Sequence, residues 1–323
     1  MTKIGVIGTG IAGCSSALAI LKRFPAANLT LFSDKPFRES TSYGPAGLFR
    51  LDHVENRKWA RATFEHFTEL HRTIGGAAGI QLMSGHILSD NLELMKSQDA
   101  CMRDIVFNFR WLEEREFTQF ASPSKYAIHF TSYTTEGRTY VPWLVKNLEE
   151  KGAKFEVRKI ASFEELGDDF DFVINCTGYG ARALTGDTGL TPNRGILFEV
   201  EAPWHKHFLY RDVTTFSIPM TKSVNVGTTK KPNSDDMNIS QADRDDIWQR
   251  YLTLMPTLKG AKLINEWIGL RPDRKSVRLE SEQRSTTNGN KFHVVHNYGH
   301  GANGFTMSWG CALDVAELVA SHK

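Results

Sequence analysis

The chain of 323 residues carries 39 Lys and Arg against 37 Asp and Glu, a net charge of +2. That near balance argues against a surface built to coat nucleic acid or an anionic membrane, and no apolar run reaches the roughly 18 residues that a spanning helix needs. A single core rarely grows past roughly 250–300 residues, so one large or two moderate domains are expected. Residues 3–8 form an apolar run, Gly8-Thr9-Gly10-Ile11-Ala12-Gly13 a glycine turn, residues 15–24 an Ala/Leu-rich stretch and residues 28–32 an alternating one. Together they predict a strand, turn, helix and strand. From 38 to 61 come Ser, Thr, Pro, Gly and charged residues without periodicity, an extended loop of the kind that contacts a ligand. Trp59, Phe64, Phe67 and Leu70 set a helical face over 59–73, and 139–151 predicts another helix. The β-branched run from Phe170 to Gly178 ends in small residues, as a buried parallel strand does where it approaches a ligand. Residues 180–265 change texture: short alternating strands at 196–200 and 223–226 with Pro/Gly turns predict an antiparallel sheet. A charged helix from about 240 to 254 begins at a capping box of Ser240 with Asp243. A strand at 293–296, a Gly-rich turn at 299–304 and an apolar helix at 309–320 close the chain.

The four cysteines, Cys14, Cys101, Cys176 and Cys311, form no C-x-x-C pair and have no His at ligand spacing, so buried thiols and no metal site are expected. Interrupted strand and helix segments predict an α/β protein whose Rossmann-like cofactor domain is assembled from 1–50, 140–180 and 266–323. An interleaved antiparallel-sheet substrate domain comes from 51–139 and 181–265.

Gly8-x-Gly10-x-x-Gly13 follows a strand and opens a helix, and Asp34, with Lys35 after it, stands at the end of the second strand. The first glycine makes the tight turn, the second lets backbone reach a pyrophosphate, and the third lets helix and strand pack closely. The backbone around Ile11 and Ala12 offers N–H groups and a positive helix end to phosphates, and Asp34 accepts from a ribose. The pattern predicts a dinucleotide without choosing FAD or NAD.

Three longer motifs bear on that choice. They are Val173-Ile174-Asn175-Cys176-Thr177-Gly178, Gly269-Leu270-Arg271-Pro272-x-Arg274-x-x-Val277-Arg278-Leu279-Glu280, and His296-Asn297-Tyr298-Gly299-His300-Gly301-x-x-Gly304-x-Thr306-x-x-Trp309-Gly310-Cys311-Ala312. With Pro45-Ala46-Gly47-Leu48, Ala202-Pro203-Trp204-x-Lys206-His207-Phe208 and Pro256-Thr257-Leu258 in the same order, the whole chain resembles the D-amino-acid oxidase and D-aspartate oxidase family. The resemblance implies FAD as cofactor, a D-amino acid and oxygen as substrates, and hydride loss from Cα to give an imino acid that water hydrolyses. It implies Ser40, Thr41 and Ser42 at the phosphates, Gly47 and Leu48 against the isoalloxazine ring, and Ile160 beside the adenine. Thr177 and Gly178 close the adenine side, and Gly301, Asn303, Gly304, Phe305 and Thr306 run along the flavin. Arg271 takes the position whose planar fork grips the substrate α-carboxylate, and the Ala302 carbonyl accepts the amino group. No side chain is required as acid or base; His205, His207, His296 and His300, like Arg274 and Arg278, are expected to be structural.

Substrate choice turns on residues 208–219, which align with a short lid, as in the family's acidic branch. There Arg211 takes the position of a side-chain-binding arginine, and Lys230 that of a second cation. Two positive charges favour a second carboxylate and leave an apolar side chain facing desolvated charge, so D-aspartate, D-glutamate and N-methyl-D-aspartate are the expected substrates. Phe216 replaces a tyrosine that contacts the α-carboxylate, and Tyr210 offers a hydroxyl from the same segment. A neutral D-amino-acid oxidase, a flavin-binding protein without turnover and a nicotinamide dehydrogenase stay open. The start shows no signal-peptide layout, and Ser321-His322-Lys323 does not match the family's peroxisomal tripeptide; the cytoplasm is expected, with the peroxisome open.

Overall fold

In the computed structural model, which describes residues 1–323, the apolar opening strand Lys3–Ile7 pairs in parallel with Asn28–Ser33 on one side and Phe172–Asn175 on the other. The chain divides into two units, 1–43 with 137–193 and 270–323, and 44–136 with 194–269.

In the first unit the parallel order is Lys291–His300, Phe172–Asn175, Lys3–Ile7, Asn28–Ser33 and Lys154–Val157. The later part of the strand Lys262–Ser285 adds antiparallel to Lys291–His300, with a bulge between Asp273 and Arg278. Ile4, Val6, Leu31, Val173, Ile174 and Val294 are buried, as expected for strands covered on both faces. The helices Ile11–Arg23 and Gly304–Ser321 run side by side in the same direction, since a Cβ on Gly304 would lie 3.9 Å from Ile11 Cγ2 at their starts and Arg23 pairs with Glu317 at 3.0 Å near their ends. Both N-termini therefore lie at one end. The helix expected at 139–151 is Gly137–Glu150, and the terminal helix starts at Gly304, earlier than the apolar pattern alone indicates.

In the second unit the strands lie in the order Phe107–Trp111, Tyr126–Thr135, Ile80–Ser89, Phe208–Arg211, Thr215–Pro219, Val224–Gly227 and Thr191–Glu201. Pairing is antiparallel except between Ile80–Ser89 and Phe208–Arg211, which run parallel. The helix Gln241–Leu254 covers one sheet face, where Ile247 and Tyr251 meet Phe198 and Val226, and Leu254 meets Leu209. Its start carries the expected capping box: Asp243 N–H donates to Ser240 Oγ at 3.1 Å, and Ser240 N–H donates to Asp243 Oδ2 at 3.1 Å. The helix expected over 59–73 is Arg57–Ile74.

All four cysteines are free and buried; burial pushes the Cys14 and Cys176 thiols up to about 12, far from nucleophilic use. No helix is long and apolar enough to cross a membrane.

Candidate active site

Three helix N-termini of the first unit converge on Ser42. Its Oγ accepts the Ile11 N–H at 3.0 Å. A Cβ on Gly137 would lie 2.0 Å from the Ser42 carbonyl oxygen and 3.1 Å from the Phe305 ring. Ile11, Gly137 and Gly304 each begin a helix with no acidic residue in its first turn, and neither Gly10 nor Asn303 makes a side-chain cap. Such ends carry backbone N–H groups in excess and a positive dipole, which suits an anionic phosphate chain.

The glycine turn meets the same end. Gly8 sits at φ +109°, where a Cβ would lie 2.4 Å from the Cys176 carbonyl oxygen, and a Cβ on Gly13 would lie 1.8 Å from the Gly8 carbonyl oxygen. Glycine is needed at both for strand and helix to pack this closely. A Cβ on Gly10 would lie 2.9 Å from Ser42 Oγ, so the start of the helix, with Ile11 and Ala12 after it, lies close against that loop residue. Thr177 Oγ1 donates to Asn175 Oδ1 at 2.7 Å, and Gly178 follows at φ +58° with open space before it. Asp34 and Lys35 are exposed just past the strand Asn28–Ser33. Ile160 packs with Phe32 and Phe163 below that strand's end. Thr41 Oγ1 donates to the Leu270 carbonyl at 3.1 Å, which ties the loop to the strand carrying Arg271. Ser40 Oγ is buried without a hydrogen-bond partner, an expensive state for a hydroxyl that a ligand group would relieve. The residues present fit a dinucleotide: a phosphate cradle, an acidic ribose position, and an apolar platform at Ile160.

Asp273 pairs with His300 in antiparallel register, so the preceding residues, Arg271 included, continue towards the turn Gly301–Asn303 that carries Ala302. Gly301 adopts φ +54°, Ala302 is exposed, and Asn303, Phe305 and Thr306 are buried around the start of the helix at Gly304. The register thus brings the backbone at Arg271 alongside the turn that carries Ala302. Arg274 is held by Asp187 at 2.9 Å. Arg278 binds Glu280 at 2.7 Å and the Tyr298 hydroxyl at 3.0 Å, and both arginines are structural. His300 Nε2 lies 2.9 Å from Asn297 Oδ1, and burial pushes its pKa down to about 4, so it is a neutral packing residue.

In the second unit Thr135 N–H donates to the Gly47 carbonyl at 3.0 Å and Leu48 bridges Thr134, which fixes the segment leading into Phe49-Arg50-Leu51-Asp52. The sheet registers Tyr210 opposite Phe216 and Phe216 opposite Gly227, so the three form a row on one face. The Tyr210 and Phe216 ring centroids are 4.9 Å apart. The neighbouring row, Leu209, Ser217, Val226 and Phe198, faces the helix Gln241–Leu254. Arg211, registered with Thr215, alternates onto that helix side, where Arg250 donates to Thr215 Oγ1 at 2.6 Å. Arg211 itself donates to Ser122 Oγ at 3.1 Å and to the Ser122 carbonyl. The structure thus sets Arg211 apart from the row of Tyr210 and Phe216 with which the sequence grouped it. The reason is the period of two along a strand.

A pair that sequence reasoning missed stands there instead. Arg50, 6% exposed, binds Asp52 through both terminal nitrogens, one of them at 3.0 Å to Oδ2, and lies with its guanidinium carbon 5.7 Å from the Tyr210 ring centroid. Burial alone pushes the Asp52 carboxyl up, but Arg50, with smaller contributions from Lys230 and His53, outweighs it and holds the pKa at about 2. Lys230 thus adds to the lowering of the Asp52 pKa, whereas Lys231 reaches Asp243 at 2.6 Å on the helix side. The only sequence signal was a charged pair two residues apart between apolar neighbours, which an extended chain turns to one side.

The family model described as FAD dependent oxidoreductase (DAO) matches residues 3–318. A protein of Caenorhabditis briggsae named D-aspartate oxidase 2 is 49% identical over 99% of this chain and 98% of its own length. Human D-aspartate oxidase is 34% identical over 98% of this chain and 94% of its own. Among solved structures, glycine oxidase from Geobacillus kaustophilus superposes with a TM-score of 0.79 over 99% of this chain and 95% of its own, at 18% identity, a likeness of fold.

Proposed function

The chain belongs to the FAD dependent oxidoreductase (DAO) family and is an FAD flavoenzyme, and from that premise we propose that it oxidises acidic D-amino acids, D-aspartate foremost, to 2-oxo acid, ammonia and hydrogen peroxide. The observation that carries the acidic reading is the buried cation beside the Tyr210 and Phe216 row, Arg50, whose guanidinium carbon lies 5.7 Å from the Tyr210 ring centroid. An apolar substrate side chain there would strip solvent from charges and return nothing. The relatives named D-aspartate oxidase support the same choice.

In this reading the helix ends at Ile11, Gly137 and Gly304 hold the cofactor's phosphates with Ser40, Thr41 and Ser42. When bound, FAD supplies two-electron oxidation of the substrate's Cα–H and passes the electrons to oxygen. The protein's own part is positional. Arg271 fixes the α-carboxylate by its two-pronged guanidinium, a geometry lysine lacks. The Ala302 carbonyl accepts from the α-amino group and so orients it. His300 does not serve as the base: it is buried, hydrogen-bonded to Asn297 and neutral.

The test is peroxide formation by the purified holoenzyme with D-aspartate, D-glutamate, N-methyl-D-aspartate, D-alanine and L-aspartate. The proposal expects the acidic D-substrates to give kcat/KM well above D-alanine and L-aspartate to give none; equal values for D-aspartate and D-alanine contradict it. A neutral D-amino-acid oxidase is the second reading, favoured by the engagement of Arg211 with Ser122.

A further inference from the structure

We propose that Arg50, oriented by Asp52, determines specificity for the substrate's side-chain carboxylate, in the place that the sequence pattern gives to Arg211. The inference rests on the acidic-substrate reading and adds to it the residue that carries the selection. Four observations converge. Arg50 lies beside Tyr210, on the row that continues through Phe216, the position whose tyrosine contacts substrate in the family pattern. Arg211, by contrast, alternates to the helix side of the sheet and is held by Ser122.

The third observation is burial. A guanidinium 6% exposed is a costly way to fill space, because replacing a buried ion pair by well-packed apolar residues is often neutral or stabilising. Phe49 and Leu51 on either side are fully buried, so the segment packs well without a charge. The fourth is support. Both terminal nitrogens of Arg50 face Asp52, Gln98 Oε1 stands 3.4 Å from one of them, and Gln98 Nε2 donates to the Leu51 carbonyl at 3.3 Å. A guanidinium held in place by a carboxylate and a carboxamide loses little freedom on binding an anion, which is how a recognition group is made precise. Asp52 is 24% exposed against 6% for Arg50, and Lys230 adds positive charge that lowers the Asp52 pKa. A substrate carboxylate enters this field as a further anion, and a neutral side chain gains nothing from it.

The experiment compares wild type, Arg50→Gln and Arg50→Lys as holoenzymes of equal flavin content, with D-aspartate and D-alanine as substrates. A second readout is the change in flavin absorbance on binding succinate or butyrate without turnover. The expectation is that R50Q raises KM for D-aspartate by roughly 10- to 100-fold, the size of a lost charge-assisted hydrogen bond. KM for D-alanine should move by less than about threefold, with succinate binding weakened and butyrate binding not. R50K, which keeps the charge and loses the fork, should fall between. If R50Q fails to accumulate with flavin, R50K carries the same comparison. A wild-type preference for D-aspartate that R50Q and R50K both retain overturns the assignment, as does an equal rise in KM for both substrates. A wild type that prefers D-alanine sinks the acidic reading itself, which is a different outcome.

Discussion

Phe216 sits in register with Tyr210 on one neighbouring strand and Gly227 on the other, with its ring centroid 4.9 Å from that of Tyr210. In the family pattern a tyrosine hydroxyl at this position contacts the α-carboxylate, and the chain lacks it. Restoring it is therefore informative. Phe216→Tyr should lower KM for D-aspartate by roughly 10- to 100-fold, the range of a hydrogen bond to a charged partner of about 1.5–3 kcal/mol, with kcat little changed because uniform binding does not lower the barrier to chemistry. An unchanged KM would mean that Tyr210 already supplies the hydroxyl. The residues lining this row also show where sequence reading stops. Tyr210, Phe216 and Lys230 were visible as residue types in a short segment, yet which of their neighbours share a face depends on strand register, and that is how Arg211 left the group. Arg50 meets Tyr210 across 160 positions of chain, a contact that no local pattern encodes.

At the scale of elements, the opening strand, glycine turn and helix are the best-determined part of the chain, because each requirement there is local. Gly13 has its Cβ position 1.8 Å from the Gly8 carbonyl oxygen, and that oxygen belongs to backbone which cannot yield. Gly13→Ala should therefore push the helix Ile11–Arg23 off the strand end and disperse the N–H groups that hold phosphate. The expected product is a folded, colourless protein whose flavin washes out on gel filtration; a yellow variant with normal flavin content contradicts the placement. The strands Ile80–Ser89 and Tyr126–Thr135 were not foreseen, although they pair along their whole length. Their alternation is masked by Met83, Ser84, His86 and His129, residues that sit on the sheet for reasons of tertiary packing. The capping box at Ser240 was legible for the opposite reason, since donor and acceptor lie three residues apart.

Across the whole molecule, burial of neutral imidazoles ties stability to pH. His86, His205 and His300 are each pushed down from 6.5 to about 4, in every case chiefly by burial. Their folded pKa values lie below the unfolded one, so the unfolded chain binds more protons as pH falls below 6.5, and the stability these groups contribute is lost progressively towards pH 4. Asp52, at about 2 against an ordinary 3.8, adds a further loss at still lower pH. Tm measured at fixed, saturating FAD should hold steady from pH 8 to 7 and fall steadily from about pH 6.5 to 4. A flat Tm down to pH 5 would contradict the burial of neutral histidines.

One titration tests both the flavin cradle of the first unit and the cation beside Tyr210 in the second. Purified holoenzyme is titrated anaerobically with D-aspartate, with L-aspartate and D-alanine as controls, while the flavin's visible absorbance is followed. Bleaching by D-aspartate at concentrations where L-aspartate and D-alanine leave the colour intact is the predicted result. Equal bleaching by D-alanine, or a yellow protein that D-aspartate does not bleach, would contradict it.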